Sequence, residues 1–370
     1  MCGRTCCALR KDHLLRACEY RSKAGTYECP EWKDVDPSGQ YQPSYNVPPR
    51  SYSGVLIHSS QLASECPSGE SSAAVTTERV ATAMLWTLVP AWWNQPSGRE
   101  MAVSTFNCRI ESCLTRPFFR SAIEDGRRCI ALAEGYYEWK DVPKSGKQPY
   151  FVYNQQPEGV SLAERALEDC DVEQLYHEGR WNGLRLLTMA AIFDVTKNGT
   201  FGFSILTMEA PQYMRWLHHR VPVILDGEEA VSSWLDPGRS SREVISTSTA
   251  EFPTNLQWHA VSSTVGKVSN KGIECVLPVP EMRSLHAALQ QQFTTATAVA
   301  KAALSREKLK TSSLTWIVKK KKKQEIKGVS FLHRRCCPNA NQKKVKTRRF
   351  RTYSAPSLGR SARALFWTSG

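Results

Sequence analysis

The sequence lacks any run of 18 apolar residues, the length that a membrane-spanning helix needs. It also has no apolar segment at its start, because Arg4, Arg10 and Lys11 interrupt the first residues before a signal peptide could form. We therefore expect a protein without a membrane span that stays in the cytoplasm or nucleus.

Several nucleotide-binding signatures are also missing. The sequence has no Gly-rich phosphate loop, no dinucleotide fingerprint and no internal repeat, so we expect no cofactor. It contains no clamp-binding box of the type Gln-x-x-aliphatic-x-x-aromatic-aromatic. Recruitment by a replication clamp is therefore not predicted.

Cysteine is abundant, with 13 residues, but the cysteines form no zinc pattern. Two pairs are adjacent (6–7 and 336–337), while Cys108 and Cys113 lie five apart without a matching second pair. A chain of this length with such cysteines is typical of a reducing compartment. We predict neither a metal site nor a disulfide framework.

The net charge of +14 is unevenly distributed. Residues 301–370 hold 20 Lys and Arg against two acidic residues, whereas residues 1–300 hold 29 basic and 33 acidic residues. A nucleic-acid site in the body must therefore be a local patch. We predict a domain over residues 2–290 and a disordered basic tail over 291–370, for which nuclear import or nucleic-acid binding is the alternative.

The body consists of short β segments separated by turns, with few helices. Strands are predicted at 54–58, 128–133, 149–153, 184–193, 202–208 and 221–225. Helices are predicted at 8–19, 109–124, 226–235 and 279–293. Asn198-Gly199 is typical of a hairpin turn, and the polar residues 154–182 indicate a surface insertion. The pattern favours an α+β domain around a largely antiparallel, barrel-like sheet with flanking helices.

Methionine aminopeptidases remove Met1 when the second side chain is small, and Cys2 would then become the N-terminal residue. The new terminus would carry an α-amine and a thiol on one residue. A neutral amine forms a Schiff base with an aldehyde, and the thiol closes on that imine to give a five-membered thiazolidine. On its own, a cysteine at position 2 does not identify a function.

Four separated segments, taken together, are more informative than Cys2 alone. They are Met1-Cys2-Gly3-Arg4, Phe106-Asn107-Cys108-Arg109, Glu134-Gly135-Tyr136-Tyr137-Glu138-Trp139 and His218-His219-Arg220-Val221-Pro222. In this order and at these separations, the chain resembles the SOS response-associated peptidase (SRAP) family over roughly residues 2–280. The resemblance implies a single SRAP domain that captures abasic sites in DNA covalently.

Catalytic roles follow from the resemblance. Cys2 would be the nucleophile that crosslinks the aldehyde of an abasic site, and Asn107 would hold the Cys2 terminus by hydrogen bonding. Glu138 would lie against the α-amine, and His218 would act as general acid and base in forming and reversing the link.

Each of these side chains also has an ordinary structural interpretation. Glu138 could be a strand-edge carboxylate, and Asn107 a turn residue. His218 and His219 could be a core pair or a metal pair, although adjacent residues of a strand face opposite sides, which disfavours shared ligation.

The resemblance also implies a DNA-binding surface. The predicted phosphate contacts are Arg4, Arg109 and Arg220, and the predicted contacts with bases are Pro43, Asn46 and Trp86. A few arginines with aromatic platforms suit single-stranded DNA, whose bases are already unstacked. The structural alternatives are surface salt bridges for the arginines and core packing for Trp86.

The chain departs from the family at two positions. Thr87 stands where the family usually has glycine, and Leu85 stands where an arginine is common. If position 87 required a positive φ angle or close approach of DNA, a β-branched residue would disturb it.

The sequence thus predicts a monomeric sensor of abasic sites in single-stranded DNA. It would form a reversible, lyase-like protein–DNA crosslink in the nucleus and so protect the strand from cleavage. A thiol peptidase using Cys2, and a non-enzymatic reader of modified cytosine, are the alternatives. Blocking the α-amine should stop only the crosslinker.

Overall fold

A computed structural model describes residues 3–36, 39–63, 77–92, 104–144, 146–160, 162, 176–177, 180–248 and 252–279. Cys2, the predicted tail, nearly all of the helix predicted at 279–293 and most of the predicted insertion lie outside the described residues. The domain boundary near residue 290 therefore stays a prediction. No helix within the described ranges is long and apolar enough to span a membrane.

Strands make up most of the ordered elements. In chain order they are β1 (Thr5–Cys7), β2 (Tyr20–Arg21), β3 (Tyr27–Glu28), β4 (Glu31–Trp32), β5 (Ser44–Val47), β6 (Tyr52–His58), β7 (Arg79–Leu85), β8 (Asn107–Arg109), β9 (Arg128–Ala133), β10 (Gly135–Val142), β11 (Gly146–Asn154), β12 (Tyr176–His177), β13 (Arg180–Trp181), β14 (Leu187–Val195), β15 (Phe201–Glu209), β16 (Arg220–Pro222) and β17 (Leu256–Ala260).

Helices in the described residues are short. They are α1 (Lys11–Arg16), α2 (Ser60–Ala63), α3 (Pro117–Glu124), α4 (Glu228–Leu235) and α5 (Ser241–Ser248). Single 3-10 turns form at Gln212–Met214, Ser263–Gly266 and Ile273–Cys275.

The larger sheet closes on itself. Its strand order is β16-β15-β14-β9-β6-β7-β4, and β15 also pairs with β7, so β6, β7, β15, β14 and β9 form a ring. The closing contact pairs Gly202 with Leu85. A Cβ atom at Gly202 would lie 2.4 Å from the backbone oxygen of Thr87, so only glycine fits at this point. The predicted α+β class with a barrel-like sheet is confirmed.

The ring strands are rich in apolar residues on both faces because both faces are buried. Along β6, Val55 and Ile57 belong to one hydrophobic cluster, while Leu56 between them belongs to the other. All six residues of β9 are buried. The second cluster also includes residues from helices α3, α4 and α5, which therefore pack against one face of the ring.

A second sheet holds the start of the chain. Its order is β17-β11-β10-β1-β5, and every pairing in it is antiparallel. Strand β1 thus lies inside this sheet, bonded to β10 on one side and to β5 on the other. Hydrogen bonds to two neighbouring strands therefore fix the position of the first described residues.

The predicted helices and strands lie where the structure has them, but some are shorter than predicted. A strand lies at each predicted segment, but β14 begins only at Leu187 and β16 ends at Pro222, short of the predicted 184–193 and 221–225. Gly199, with a φ angle of 79°, forms the predicted turn between β14 and β15. The helix predicted at 109–124 begins only at Pro117, because residues 110–116 form turns. Proline is common at the first position of a helix, where its missing N–H group costs no hydrogen bond. The helix predicted at 8–19 is confined to Lys11–Arg16.

Arg128 ties the ring to α4 and α5 through a buried guanidinium. It donates hydrogen bonds of 2.6–3.0 Å to the Trp234, Asp236 and Arg239 carbonyls and to the Ser241 hydroxyl. A cation is favourable here because the end of a helix leaves carbonyl groups unsatisfied.

We expect Arg128→Ala to lower the free energy of unfolding by about 3–5 kcal/mol, because several buried acceptors lose a charged donor. Chemical denaturation measures this change. Arg120→Ala is the matched control, since Arg120 is exposed and forms a surface ion pair with Glu124, so about 0.5 kcal/mol or less is expected. Equal effects of the two changes would contradict the assignment.

Candidate active site and nucleic-acid interface

The register of β1 against β10 positions the start of the chain. Thr5 pairs with Tyr136, and the Tyr137 amide donates a 2.9 Å hydrogen bond to the Arg4 carbonyl. Extended by two residues beyond Thr5 and Tyr136, this register brings Gly3 opposite Glu138. The predicted nucleophile, Cys2, is outside the described residues, but Gly3 is its covalent neighbour.

Glu134 locks β1 in this register. Its amide donates a 2.7 Å bond to the Cys6 carbonyl, and its carboxylate accepts a 2.7 Å bond from the Ala8 amide. The side chain is buried, so the bond to Ala8 is shielded from water. Sequence reasoning assigned no role to Glu134; the available signal was a second glutamate four residues before Glu138.

Glu138 and His218 come together although 80 positions separate them in sequence. The Glu138 carboxylate is 5% exposed and accepts a 3.3 Å bond from the Trp139 amide. Burial lowers the pKa of the His218 imidazole, and the negative charge of Glu138 acts in the opposite direction. The two groups predicted to control protonation therefore share one environment.

The His218 ring can serve in either protonation state. Its Nδ1 atom accepts a 3.0 Å hydrogen bond from the Arg220 amide, and the Arg220 carbonyl lies 3.2 Å from the same atom. In the neutral ring Nδ1 is therefore the acceptor, and the proton resides on Nε2. When the ring is protonated, Nδ1 can donate to the carbonyl instead.

The two histidines do not face opposite sides, contrary to the strand argument. Their rings stack with centroids 4.2 Å apart, because β16 begins only at Arg220 and His218 and His219 precede it. Within the part of the chain that the structure describes, no group of three His, Cys, Asp or Glu residues is arranged to hold a metal ion.

Asn107 and the His218–Arg220 segment flank the same strand. Asn107 begins β8, which runs parallel to β15 with Asn107 beside Ile205. Strand β16 pairs with the next residues of β15, from Thr207 to Glu209. Both predicted site segments thus lie along β15, in adjoining positions.

Arg220 does not fit the predicted phosphate contact. It is 8% exposed, and its guanidinium forms bonds of 2.6 and 3.0 Å with the two Glu111 oxygens and a further bond to the Thr207 carbonyl. These bonds hold the pKa of Glu111 below its usual value. Arg220 instead ties the segment after β8 to β16.

Asn46 does not fit the predicted base contact, because its side chain is 0% exposed. Its amide donates bonds of 2.6–3.1 Å to carbonyls of the loop after β17, at Val265, Lys267 and Asn270. Its oxygen accepts a 2.8 Å bond from half-buried Arg4, which also donates to the Val265 carbonyl. Asn46 and Arg4 thus anchor this loop to the start of the chain.

Trp86 is a core residue, so the structural alternative applies in place of the predicted stacking on bases. It is 1% exposed, and its Nε1 atom donates a 3.0 Å bond to the Phe106 carbonyl. Its ring stacks on Phe203 with centroids 6.4 Å apart. No face of the indole remains for a nucleobase.

Thr87 is compatible with its backbone. Positive φ angles occur at only two non-glycine positions of the described chain, Arg50 and Lys144. Position 87 therefore does not require glycine for its φ angle. Leu85 lies at the end of β7, where it pairs with Tyr52 and with Gly202 at the closure of the ring.

Pro43 and Arg109 are exposed, as a contact with DNA would require. Arg109 is on β8, two residues beyond Asn107, so the two side chains project to the same side of the strand. Of the six predicted DNA contacts, these two are the most accessible to solvent.

Comparison with known proteins places this geometry in context. A family model described as SOS response associated peptidase (SRAP) matches residues 1–268. The abasic site processing protein HMCES of Xenopus tropicalis is 37% identical over 289 residues, covering 75% of this chain and 78% of that protein. HMCES of Gallus gallus is 37% identical over 288 residues, with the same coverage. The abasic site processing protein YedK of Escherichia coli is 28% identical over 200 residues, covering 53% of this chain and 74% of that protein.

Proposed function

Because the chain belongs to the SOS response-associated peptidase family, we propose that it processes abasic sites and does so by capturing them covalently in single-stranded DNA. Cys2 is the proposed nucleophile, and the adduct protects the strand from cleavage. The register that brings Gly3 opposite Glu138, beside His218, is the observation that carries this proposal.

The proposed chemistry is balanced without an oxidant or a cofactor. The neutral α-amine of Cys2 attacks the aldehyde of the opened deoxyribose, and loss of one water gives an imine. The thiol then adds to the imine carbon, and its proton passes to the nitrogen, which closes the thiazolidine. Reversal follows the same steps backwards and consumes one water.

Glu138 and His218 have complementary roles in these steps. The buried Glu138 carboxylate is suited to hold the α-amine and to accept a proton from it. His218 in its protonated form, with Nδ1–H donated to the Arg220 carbonyl, is suited to give its Nε2 proton to the departing hydroxyl, and the neutral ring that remains is suited to take a proton back on reversal. Asn107, along the same stretch of β15, is proposed to position the amine.

Single-stranded DNA is the proposed substrate, and because residues 1–300 hold 29 basic against 33 acidic residues, its binding site is proposed to be a local cationic patch. Arg109 is exposed beside Asn107, whereas Arg120 and Arg220 are paired with Glu124 and Glu111. Unpaired bases also leave the deoxyribose aldehyde open to attack without the cost of extruding a nucleotide.

We expect Arg109→Glu to weaken capture through binding alone. The change removes a phosphate contact and adds a like charge, so the half-saturating DNA concentration rises while the rate at saturation is unchanged. With the charge removed in Arg109→Ala, the slope of log affinity against log salt should fall by about 0.7. A fall in the saturated rate with unchanged affinity would contradict this role.

Arg220→Ala should act differently. It leaves Glu111 and the Thr207 carbonyl without their donor, so the free energy of unfolding should fall by about 2–3 kcal/mol. Thermal or chemical denaturation measures this loss of stability. A variant of unchanged stability that binds DNA more weakly would instead indicate a direct contact between Arg220 and DNA.

Intact mass spectrometry tests the proposal directly. The purified protein is expected to lack Met1 and, after incubation with an abasic single-stranded oligonucleotide, to gain the oligonucleotide mass minus one water. An intact aldehyde-free oligonucleotide should give no adduct. A retained Met1, or no adduct with the abasic strand, would overturn the proposed mechanism.

A thiol peptidase is the second candidate, since the family description contains the word peptidase and Cys2 and His218 could cleave a peptide bond. Chemical acetylation of the α-amine separates the two activities. A peptidase retains its thiol and its activity after acetylation, whereas the crosslinker loses its amine and its adduct. The same treatment would spare a reader of modified cytosine.

A further inference from the structure

A cavity of about 820 Å³ lies between α2, the end of α3 and the segment that joins α4 to α5. This volume falls in the range of about 300–1,000 Å³ that is typical of small-molecule sites. Gln61 of α2, Ile123 and Gly126 at the end of α3, and residues 237–242 contribute to its wall. None of the described residues that were predicted to be catalytic lines it. The cavity is therefore a binding site candidate of its own.

The guanidinium of Arg128 borders the cavity from inside the domain. Arg128 lines the cavity although only 2% of the residue is exposed. Its four hydrogen bonds, to three carbonyls and to the Ser241 hydroxyl, use four of the five N–H groups that a guanidinium carries. One N–H group on Nη1 thus keeps no acceptor within the described ranges.

The charge of Arg128 is also not balanced locally. No carboxylate of the described chain lies within ion-pair distance of it. Burial lowers the pKa of Arg128, because the charged form loses its hydration, and the negative charge of Asp236 only partly offsets this effect. An anion in the cavity would accept the remaining hydrogen bond and balance the buried charge.

The start of α5 adds hydrogen-bond donors next to Arg128. The Ser240 hydroxyl accepts a 3.3 Å bond from the Glu243 amide, and the Ser241 hydroxyl accepts a 2.8 Å bond from Arg128. Each hydroxyl can therefore still donate its own hydrogen to a ligand. Arg242 is exposed at the cavity, and it has no ion-pair partner among the residues that the structure places.

The end of α3 contributes the acidic residues of the wall. Glu124 pairs with Arg120 at 2.8 Å, and Asp125 pairs with Arg127 at 3.7 Å. Four arginines and two acidic residues line the cavity, which leaves an excess of two positive charges. A phosphate monoester carries about two negative charges at pH 7 and has three strong acceptor oxygens, so it matches both the charge and the donors.

We propose that this cavity binds the phosphate group of a small phosphorylated molecule, through Arg128, Arg242 and the Ser241 hydroxyl. A phosphate fills only part of the volume, and the apolar side chains of Leu114 and Ile123 border space for the organic part of the ligand. The site is independent of the proposed capture of abasic DNA.

Isothermal titration calorimetry of the full chain with ribose 5-phosphate tests this site. Inorganic phosphate tests the anion alone, ribose tests the organic part alone, and sodium chloride holds the ionic strength constant. Arg242 is the residue to replace, because it is exposed, whereas Arg128→Ala is expected to destabilise the domain. Arg215→Ala is the matched control, since Arg215 is exposed, pairs with Glu209 and does not line the cavity.

Ribose 5-phosphate is expected to bind saturably at one site, inorganic phosphate to bind more weakly, and ribose not to bind. Arg242→Ala should raise the dissociation constant about five- to tenfold, and Arg242→Glu should raise it further, because a charge-assisted hydrogen bond is lost. Asp125→Asn should lower the constant about twofold, since a negative charge leaves the wall. Arg215→Ala should change it less than about twofold.

A titration without saturable binding of ribose 5-phosphate would overturn the site. Equal dissociation constants for wild type and Arg242→Ala, or equal effects of Arg242→Ala and Arg215→Ala, would overturn it as well. Ribose that binds as tightly as its phosphate would show that the phosphate is not recognised. A 5′-phosphorylated single strand that binds with dependence on Arg242, in the absence of any binding of ribose 5-phosphate, would refute the small ligand in favour of nucleic acid.

Discussion

Replacement of Cys2 by alanine is expected to abolish the heat-stable adduct with abasic single-stranded DNA. Alanine is small enough for removal of Met1, so the variant keeps an α-amine at the same place. An imine can still form, but no thiol is present to close the ring, and water reverses the imine. The loss should be complete in a denaturing gel.

Reduction with borohydride distinguishes the bond that the α-amine forms with the aldehyde carbon from the bond that the thiol forms with it. Reduction should trap the imine of Cys2→Ala as a stable amine, whereas the wild-type thiazolidine needs no reductant. Cys2→Ser is the matched variant, because it keeps the amine and replaces only the sulfur. An undiminished adduct from Cys2→Ala without reductant would refute the role of the thiol.

His218→Ala is expected to slow both formation and reversal of the adduct, each by a factor on the order of 10² to 10⁴. Both directions pass through the same proton transfers, so an acid and base group must affect both. Binding to undamaged single strands should be nearly unchanged. Rates of adduct formation, and of DNA release from a preformed adduct, provide the measurement.

His219→Ala is the matched control for this change. Its ring stacks on His218 but is exposed, so its loss should alter the rates only slightly. A His218→Ala protein with a lowered melting temperature, weaker binding and a wild-type rate of reversal would mean that His218 is only a packing residue.

The pH dependence follows from the direction of the His218 shift. Burial lowers the pKa of His218 below its ordinary value near 6.5, so the ring stays neutral until the pH falls below that value. The change in rate that accompanies protonation of His218 should therefore form a limb of the profile below about pH 6.5, separate from the limb that the α-amine sets at about pH 8. Glu138 raises the pKa of His218, so Glu138→Gln should move the His218 limb to still lower pH. A limb that moves upward would contradict the coupling.

Four of the five ring strands, β6, β9, β14 and β15, could be predicted from sequence because burial on both faces makes them rich in apolar residues, whereas β7 was not predicted. Strand β9 is one example, in which all six residues are buried. The second sheet was harder to predict. Strands β1 and β5 have three and four residues, and β10 carries Glu138, Lys140 and Asp141, so their pairing depends on partners that are distant in sequence.

Residue roles divide in the same way. Motifs far apart in sequence predicted Glu138 and His218 as site residues; their roles stay predictions, and the fold brings the two side chains close enough for the charge of Glu138 to affect the pKa of His218. The fate of Asn46, Trp86 and Arg220 could not be predicted, because each is decided by tertiary contacts with other segments: the loop after β17, Phe203 and Glu111. The identity of an arginine or tryptophan in a motif does not show whether its side chain faces solvent or the core.

The central position of β1 has a mechanical consequence. A DNA strand joined to residue 2 would transmit any tension, such as that from a motor moving along the DNA, directly into β1. That strand is bonded to β10 and β5 together, and Tyr137 of β10 also donates a 2.7 Å bond to the Tyr45 carbonyl of β5. Force would thus be shared by three neighbouring strands of the sheet instead of falling on a loose terminus.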